Sequence, residues 1–225
     1  MKQLVLSILF IVASAFTGFS HNSKVINNNV AADQVRYIST QFNINQQAVQ
    51  MALIGYQKLR SLGKLANVQY LTIADFSKPS NEERLFVIDM NIMQVVVKSL
   101  VAHGRNSGKK MANQFSNQYA SFQSSLGFYI TGGIYKGKHG ASLILEGVEK
   151  GINDQAKERA IVIHGADYVS NQLIQQQGYI GRSLGCPAVP NNQVTQIINT
   201  IKGASCLFVY APTHQYLSQS QLVNN

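Results

Sequence analysis

Cysteines, acidic residues and long hydrophobic runs are all scarce in this sequence of 225 residues. The two cysteines, Cys186 and Cys206, allow at most one disulfide within the chain. Ten acidic residues against nineteen lysines and arginines give a formal net charge of +9, which suits an anionic partner such as a cell-wall polymer or a phospholipid surface. The basic residues are scattered, and their longest run is Lys109-Lys110. We therefore expect no dedicated nucleic-acid-binding patch and no nucleic-acid partner.

The N-terminus carries the one pronounced apolar run, from Leu4 to Phe16, after Met1-Lys2 and before small residues. A positive start, an apolar stretch of about a dozen residues and small residues are typical of a secretory signal peptide. We predict a signal peptide over residues 1–20; an uncleaved membrane anchor is the alternative. Since no other stretch is apolar enough to cross a membrane, we expect export to the periplasm or cell envelope, with no stable membrane insertion after the leader is removed.

The chain after the leader has the length and apolar content of a globular protein. A helical section is predicted first, with a helix from Gln46 to Leu62, Asn45 as its N-cap and Gly63 as its stop. Its apolar stripe consists of Val49, Ala52, Leu53, Tyr56 and Leu59. We divide this part of the chain into a lead-in and helical section, 21–66, and a main domain, 67–225.

The main domain is dominated by short segments rich in β-formers and separated by turns. Strands are predicted over residues 70–76, 85–89, 94–102, 128–131, 134–135, 141–145, 159–164 and 206–211. Residues 104–125 are polar and aperiodic, and a loop of that length is often functional. One helix is predicted after Cys186, with Asn191 as its N-cap. The fold class is therefore α+β and mainly β, a sandwich or barrel with helices near its start and end.

Two residues stand out as chemically reactive. Cys186 lies in a turn next to Gly185, and His164 ends an apolar strand and precedes Gly165. A thiol becomes a nucleophile when an imidazole, a positive charge or backbone N–H groups stabilise its thiolate. The N–H groups of Gly185 and Cys186 are candidates to stabilise an oxyanion, and the Gly165 carbonyl is a candidate to fix the tautomer of His164. The pair predicts covalent acyl transfer, without a metal or organic cofactor.

Other interpretations of the same residues remain open. Cys186 and Cys206 are the partners for a structural disulfide in an exported protein. A zinc site is the alternative for His103, His139 and His164, although no H-x-x-x-H pair is present.

The flanking residues resemble a known family. His164-Gly165 followed by Ser183-Leu184-Gly185-Cys186 is similar to the signature of the murein L,D-transpeptidases, the YkuD-type catalytic domains. The resemblance runs from about residue 70 to residue 211 and is closest to a branch with an Arg-Ser-x-Gly-Cys-Pro-Ala motif, matched here by Arg182 to Ala188. Ser107-Gly108, 115–117, 125–127 and 139–140 also resemble that branch.

The resemblance implies an L,D-transpeptidase fold with Cys186 as the acyl-accepting nucleophile, His164 as its base and Gly165 as the group that orients the base. Ser183 and Gly185 would then shape the loop and the oxyanion site. The sequence departs from the better-known branch at two positions, Leu184 and Pro187, which leaves the anchor for a substrate carboxylate open. Arg182 is the candidate anchor, and His139 and the Tyr135 hydroxyl are candidates for lining the substrate site.

The implied reaction acts on peptidoglycan. The thiol would attack the carbonyl before the terminal D-alanine of a tetrapeptide stem, release D-alanine and leave a thioester. An amine of a second stem would then give a 3–3 cross-link, and water would give L,D-carboxypeptidase activity. The expected partner is the stem peptide, and the expected state is a monomer. The alternatives are an exported cysteine peptidase or sortase-like transpeptidase, and a non-catalytic wall-binding protein with a Cys186–Cys206 disulfide.

Overall fold

The computed structural model describes residues 32–137 and 140–224 of the chain. The predicted signal peptide over residues 1–20 lies outside this range. Within the described part, no helix has the length and apolar content needed to cross a membrane. The proposed boundary between the helical section and the main domain stays a prediction.

Two helices precede the sheet. Residues 32–42 are helical and are called α1, and α2 spans Gln46–Ser61. The Asn45 side chain caps α2, as predicted, by accepting hydrogen bonds from the backbone N–H groups of Gln47 and Ala48 at 2.9 and 3.2 Å. The predicted apolar stripe of α2 is buried and packs on the sheet, so this helix covers part of the core.

A mainly antiparallel sheet forms the body of the described chain. In chain order its strands are β1 (Tyr70–Asp75), β2 (Leu85–Asp89), β3 (Gln94–Ser99), β4 (Gly127–Gly137), β5 (Gly140–Gly147), β6 (Val162–Gly165), β7 (Ala188–Val189) and β8 (Cys206–Tyr210). The order across the sheet is β3-β2-β1-β8-β4-β5-β6-β7. The two pairs β1–β8 and β6–β7 are parallel, and the remaining pairs are antiparallel. The predicted α+β, mainly β class is confirmed.

The two ends of this sheet approach each other. Ala102, three residues after β3, forms an antiparallel bridge with Ala188 of β7, and its N–H donates to the Ala188 carbonyl at 2.8 Å. Gly104 forms a second bridge with Ser183. Because these bridges join the opposite edges, the sheet is a nearly closed barrel, and the segment around Cys186 lies at the seam.

Three short helices follow β6: α3 (Asn171–Gln177), α4 (Val194–Ile201) and α5 (His214–Gln219). The predicted helix after Cys186 is α4, which buries Ile197, Ile198 and Ile201 against the sheet. The predicted N-cap is wrong: α4 begins three residues after Asn191, whose side chain donates to Asp167 instead. The structure also adds α3 and α5, which the sequence did not predict.

The strands around the candidate site differ in extent from the prediction. Residues 151–160 form successive turns, so the strand predicted to begin at residue 159 begins at Val162. Two predicted segments, 128–131 and 134–135, are one strand, β4, with an irregularity at Gly132-Gly133. The predicted loop over residues 104–125 contains no helix and only one isolated bridge residue, Gly104.

Candidate active site

The turn that carries Cys186 is closed by Ser183. The buried Ser183 hydroxyl accepts the Gly185 N–H at 3.0 Å and donates to the Cys186 carbonyl at 2.6 Å. Ser183 therefore shapes the loop, as expected. The Gly185 N–H is already bonded to this hydroxyl, which corrects the expectation that it is aimed at a substrate oxyanion.

Gly185 is required for its backbone conformation. Its φ of +132° lies in a region that residues with a side chain rarely adopt. A Cβ at this position would lie 2.9 Å from the carbonyl oxygen of Gln123, in the long polar loop. The Gly185 carbonyl accepts the Ser124 hydroxyl at 3.0 Å. The turn before Cys186 is thus packed directly against the end of the 104–125 loop.

His164 is buried near the end of β6. Its Nδ1 lies 2.9 Å from the carbonyl oxygen of Gly165, and the carbonyl can only accept, so Nδ1 carries the proton. This is the contact expected from the sequence. In that tautomer Nε2 is the basic nitrogen of the ring.

The pairing of β6 with β7 brings the Cys186 turn to the start of β6. His164 pairs with Ala188, and Cys186 lies two residues before Ala188, in the turn that leads into β7. The Cys186 thiol donates to the Ala160 carbonyl at 3.6 Å, which agrees with a position beside the start of β6.

The surroundings of the thiol act on its pKa in both directions. Burial raises the pKa of Cys186, whereas hydrogen bonding from the Val162 backbone, the charge of Arg159 and the N–H of Cys186 itself lower it. Both cysteines are free, and Cys206 is fully buried in β8, so the predicted alternative of a disulfide is wrong.

The side chain of Arg182 is bonded to the long loop. Its Nη1 donates to the carbonyl oxygens of Arg105 and Gly108, both at 3.2 Å, although the residue itself is exposed. It thus ties the loop to the turn that carries Cys186. Its proposed contact with a substrate carboxylate stays a prediction.

A buried network supports the same loop from below. The fully buried Arg84 donates to the carbonyl of Val101 and, at 2.7 Å, to Nδ1 of His103. Nε2 of His103 then donates to the Gly108 carbonyl at 3.3 Å, and the His103 carbonyl accepts the Ser183 N–H at 3.0 Å. The sequence analysis considered His103 as a zinc ligand and missed Arg84. Both are parts of the scaffold under the site.

Tyr135 lies in the same row of the sheet as His164. Tyr135 pairs with Ser142, and Ser142 pairs with His164, so the three side chains share one face of β4, β5 and β6. Two strand spacings put the Cα atoms of Tyr135 and His164 about 10 Å apart. Tyr135 is 43% exposed, which leaves it accessible to a substrate. His139, the other predicted lining residue, lies outside the described residues.

The sequence analysis missed Arg159, whose charge acts on Cys186. It lies in the turns before β6, and nothing in its local sequence distinguishes it from other surface arginines. Its four hydrogen-bond partners all lie in the 104–125 loop, which only the tertiary structure brings close to it.

No metal centre is formed by the described residues. Within 32–137 and 140–224, no three His, Cys, Asp or Glu side chains are close enough together to hold an ion. The groups that act on the Cys186 thiol are instead backbone donors and Arg159, and groups of these kinds stabilise a thiolate.

Comparison with protein families gives one assignment. The L,D-transpeptidase catalytic domain family matches residues 40–210, which is more than half of the sequence, and the chain belongs to this family. The matched range includes α2, all eight strands and the Cys186 loop. None of the curated proteins matches the sequence.

Solved structures with a similar fold share little sequence with this chain. An L,D-transpeptidase from Mycobacterium smegmatis is 13% identical with a TM-score of 0.39, over 64% of this chain and 59% of that one. Bd1075 from Bdellovibrio bacteriovorus is 14% identical with a TM-score of 0.41, over 63% and 48%. The helical cell shape determining protein Pgp2 from Campylobacter jejuni is 14% identical with a TM-score of 0.39, over 64% and 47%. The alignments thus span about half to three fifths of these relatives.

Proposed function

We propose that the protein is an exported cysteine acyltransferase that acts on peptidoglycan stem peptides in the periplasm or cell envelope. Cys186 is the nucleophile and His164 is its base. The thiol attacks the carbonyl before the terminal D-alanine, D-alanine leaves with a proton from His164, and a thioester remains on Cys186. An amine of a second stem resolves the thioester into a 3–3 cross-link, or water resolves it into the shortened stem.

The observation that carries this proposal is the hydrogen bond from Nδ1 of His164 to the Gly165 carbonyl, in register with the Cys186 loop. It fixes the tautomer in which Nε2 accepts a proton, and the pairing of His164 with Ala188 brings the Cys186 turn beside β6. The backbone N–H of Cys186 is the proposed donor for the oxyanion that forms when the thiol attacks.

The substrate side of the proposal rests on family membership and on charge. The chain belongs to the L,D-transpeptidase catalytic domain family, and its net charge of +9 favours an anionic wall polymer. Tyr135, exposed in the row of His164, and Arg182, beside the nucleophile turn, are the residues proposed to contact the stem.

Incubation with a purified disaccharide-tetrapeptide tests the reaction. We expect wild-type protein to release D-alanine or form 3–3 dimers, measured by liquid chromatography and mass spectrometry, with an acyl adduct on the Cys186 peptide. Cys186→Ala and His164→Ala are expected to lose at least about a hundredfold in rate. Cys206→Ala is the matched control because Cys206 is buried in β8. Turnover by Cys186→Ala at the wild-type rate would refute the mechanism.

A further inference from the structure

Arg159 forms hydrogen bonds with one end of the long polar loop, residues 104–125. Its Nη1 donates to the Ser116 carbonyl at 2.7 Å and to the Ser125 hydroxyl, and its Nη2 donates to the Gln123 carbonyl at 2.6 Å and to the Ser121 hydroxyl at 3.3 Å. The planar guanidinium thus bonds to four groups between residues 116 and 125. A lysine has no such fork and is unable to hold all four in this geometry.

The same side chain lies against the nucleophile turn. A Cβ on Gly185 would lie 3.3 Å from Nη2 of Arg159 and 2.9 Å from the carbonyl of Gln123, to which that Nη2 is bonded. The next residue, Ala160, accepts the hydrogen bond of the Cys186 thiol, and it has a φ of +52°. Residues 159 and 160 therefore contact the loop on one side and the residues at and before the nucleophile on the other.

The positive charge of Arg159 has no carboxylate partner among the described residues. Its four hydrogen-bond acceptors are carbonyls and hydroxyls, and the four ion pairs found in the described ranges involve other residues. Within residues 32–137 and 140–224, the titratable groups besides His164 that interact electrostatically with Cys186 are Tyr129 and Tyr168. Burial raises the pKa of both phenols, that of Tyr168 to about 12, so both are neutral near neutral pH. Among the described residues, Arg159 is consequently the permanent positive charge that acts on the thiol.

We propose that Arg159 is a positioning residue of the candidate site: its fork holds residues 116–125 against Gly185, and its charge stabilises the Cys186 thiolate. The second half of the proposal concerns the thiol itself, and only its consequence for acyl transfer rests on the proposed function.

The pH profile of Cys186 alkylation tests the charge. The rate of reaction with iodoacetamide would be measured for three proteins that all carry His164→Ala, so that the imidazole does not share the titration. They differ only at position 159, which is the wild-type Arg159, Arg159→Met or Arg159→Lys. Modified peptides are identified by mass spectrometry. We expect Arg159→Met to react about tenfold more slowly near neutral pH and to reach the wild-type rate at high pH, which corresponds to a thiol pKa about one unit higher. Arg159→Lys is expected to keep the wild-type profile.

Hydrogen exchange over residues 116–125 tests the fork. Both Arg159→Met and Arg159→Lys are expected to increase exchange in this segment, because neither side chain bonds to four groups. Lys157→Met is the matched control, since Lys157 is an exposed cation of the same turns that pairs with Glu146 at 3.6 Å. It is expected to change neither measurement. If Arg159→Met fails to fold, Arg159→Gln provides the neutral comparison.

The outcomes separate the two halves of the proposal and the proposed function. An unchanged alkylation profile in the neutral variant refutes the role of the charge, and unchanged exchange over 116–125 refutes the role of the fork. A shifted profile in a protein whose wild type leaves disaccharide-tetrapeptide intact supports the role of Arg159 and overturns the proposed substrate.

Discussion

Mild acid is predicted to destabilise the protein through His103, which lies under the candidate site. His103 is fully buried, and its Nδ1 accepts a hydrogen bond from Arg84 at 2.7 Å. Burial lowers the pKa of His103 to about 3, and the charges of Arg84 and Arg182 act in the same direction. The hydrogen bond from Nε2 to Gly108 has the opposite, smaller effect. The imidazole is therefore neutral in the folded protein throughout the physiological range.

The sign of the effect follows from comparing the two states of the chain. The pKa of an unfolded histidine is about 6.5, so the unfolded state takes up a proton before the folded state as the pH falls. The stabilisation by neutral His103 is complete above pH 6.5 and is lost progressively toward pH 3. Each pH unit well inside this window costs about 1.4 kcal/mol, and going from pH 7 to pH 5 costs about 2 kcal/mol.

Urea unfolding of wild type and His103→Gln at pH 7 and pH 5 measures this quantity. Glutamine offers an acceptor and a donor but does not titrate. We expect His103→Gln to be less stable at pH 7, and its loss of unfolding free energy between pH 7 and pH 5 to be smaller than that of wild type by about 2 kcal/mol. Carboxylates contribute equally to both proteins. An equal loss in the two proteins would show that His103 does not carry the acid sensitivity.

Two further substitutions have matched controls in the chain. Gly185→Ala is expected to lower the free energy of unfolding by about 3 kcal/mol and to slow Cys186 alkylation, because φ is +132° and the Gln123 carbonyl is 2.9 Å from the new Cβ. Gly178 has a φ of +83° and nothing within 4 Å of a new Cβ. Gly178→Ala is therefore expected to lower the free energy of unfolding by about 1 kcal/mol and to leave alkylation unchanged. Equal effects of the two in urea unfolding and alkylation would contradict this. The buried Glu149 carboxylate accepts hydrogen bonds from a backbone N–H and two hydroxyls. Glu149→Ala is therefore expected to lose about 3 kcal/mol more unfolding free energy than Glu149→Gln. Equal losses of the two variants in urea unfolding would refute this prediction.

Local sequence patterns predicted the elements whose structure depends on local interactions. The helix after Asn45 has its cap, its apolar stripe and its stop within twenty residues, and all three act as predicted. The pairing of His164 with the Gly165 carbonyl is also local, since it joins neighbouring residues. Patterns of this kind need no knowledge of the tertiary fold.

The features that the sequence did not predict depend on contacts between distant segments. Asn191 has the residue type and position of an N-cap, but Asp167 competes for its side chain and the helix begins later. The bridge between Ala102 and Ala188 closes the sheet across 86 positions of chain, and no local pattern encodes it. Arg159 shows the same limit, because an arginine in a polar turn reveals its role only when the 116–125 segment is placed beside it.

The arginines around the candidate site share one property that bears on its chemistry. Arg84, Arg159 and Arg182 donate to carbonyls, hydroxyls or an imidazole, and the ion pairs found in the described ranges involve none of them. Arg84 keeps its charge at neutral pH, since burial lowers its pKa only to about 9. Because acceptors without charge satisfy the hydrogen bonds of Arg159 without neutralising it, its positive charge remains available to act on the Cys186 thiol. A positive field stabilises a thiolate, an oxyanion and a substrate carboxylate, which are the anionic species that the proposed acyl transfer requires.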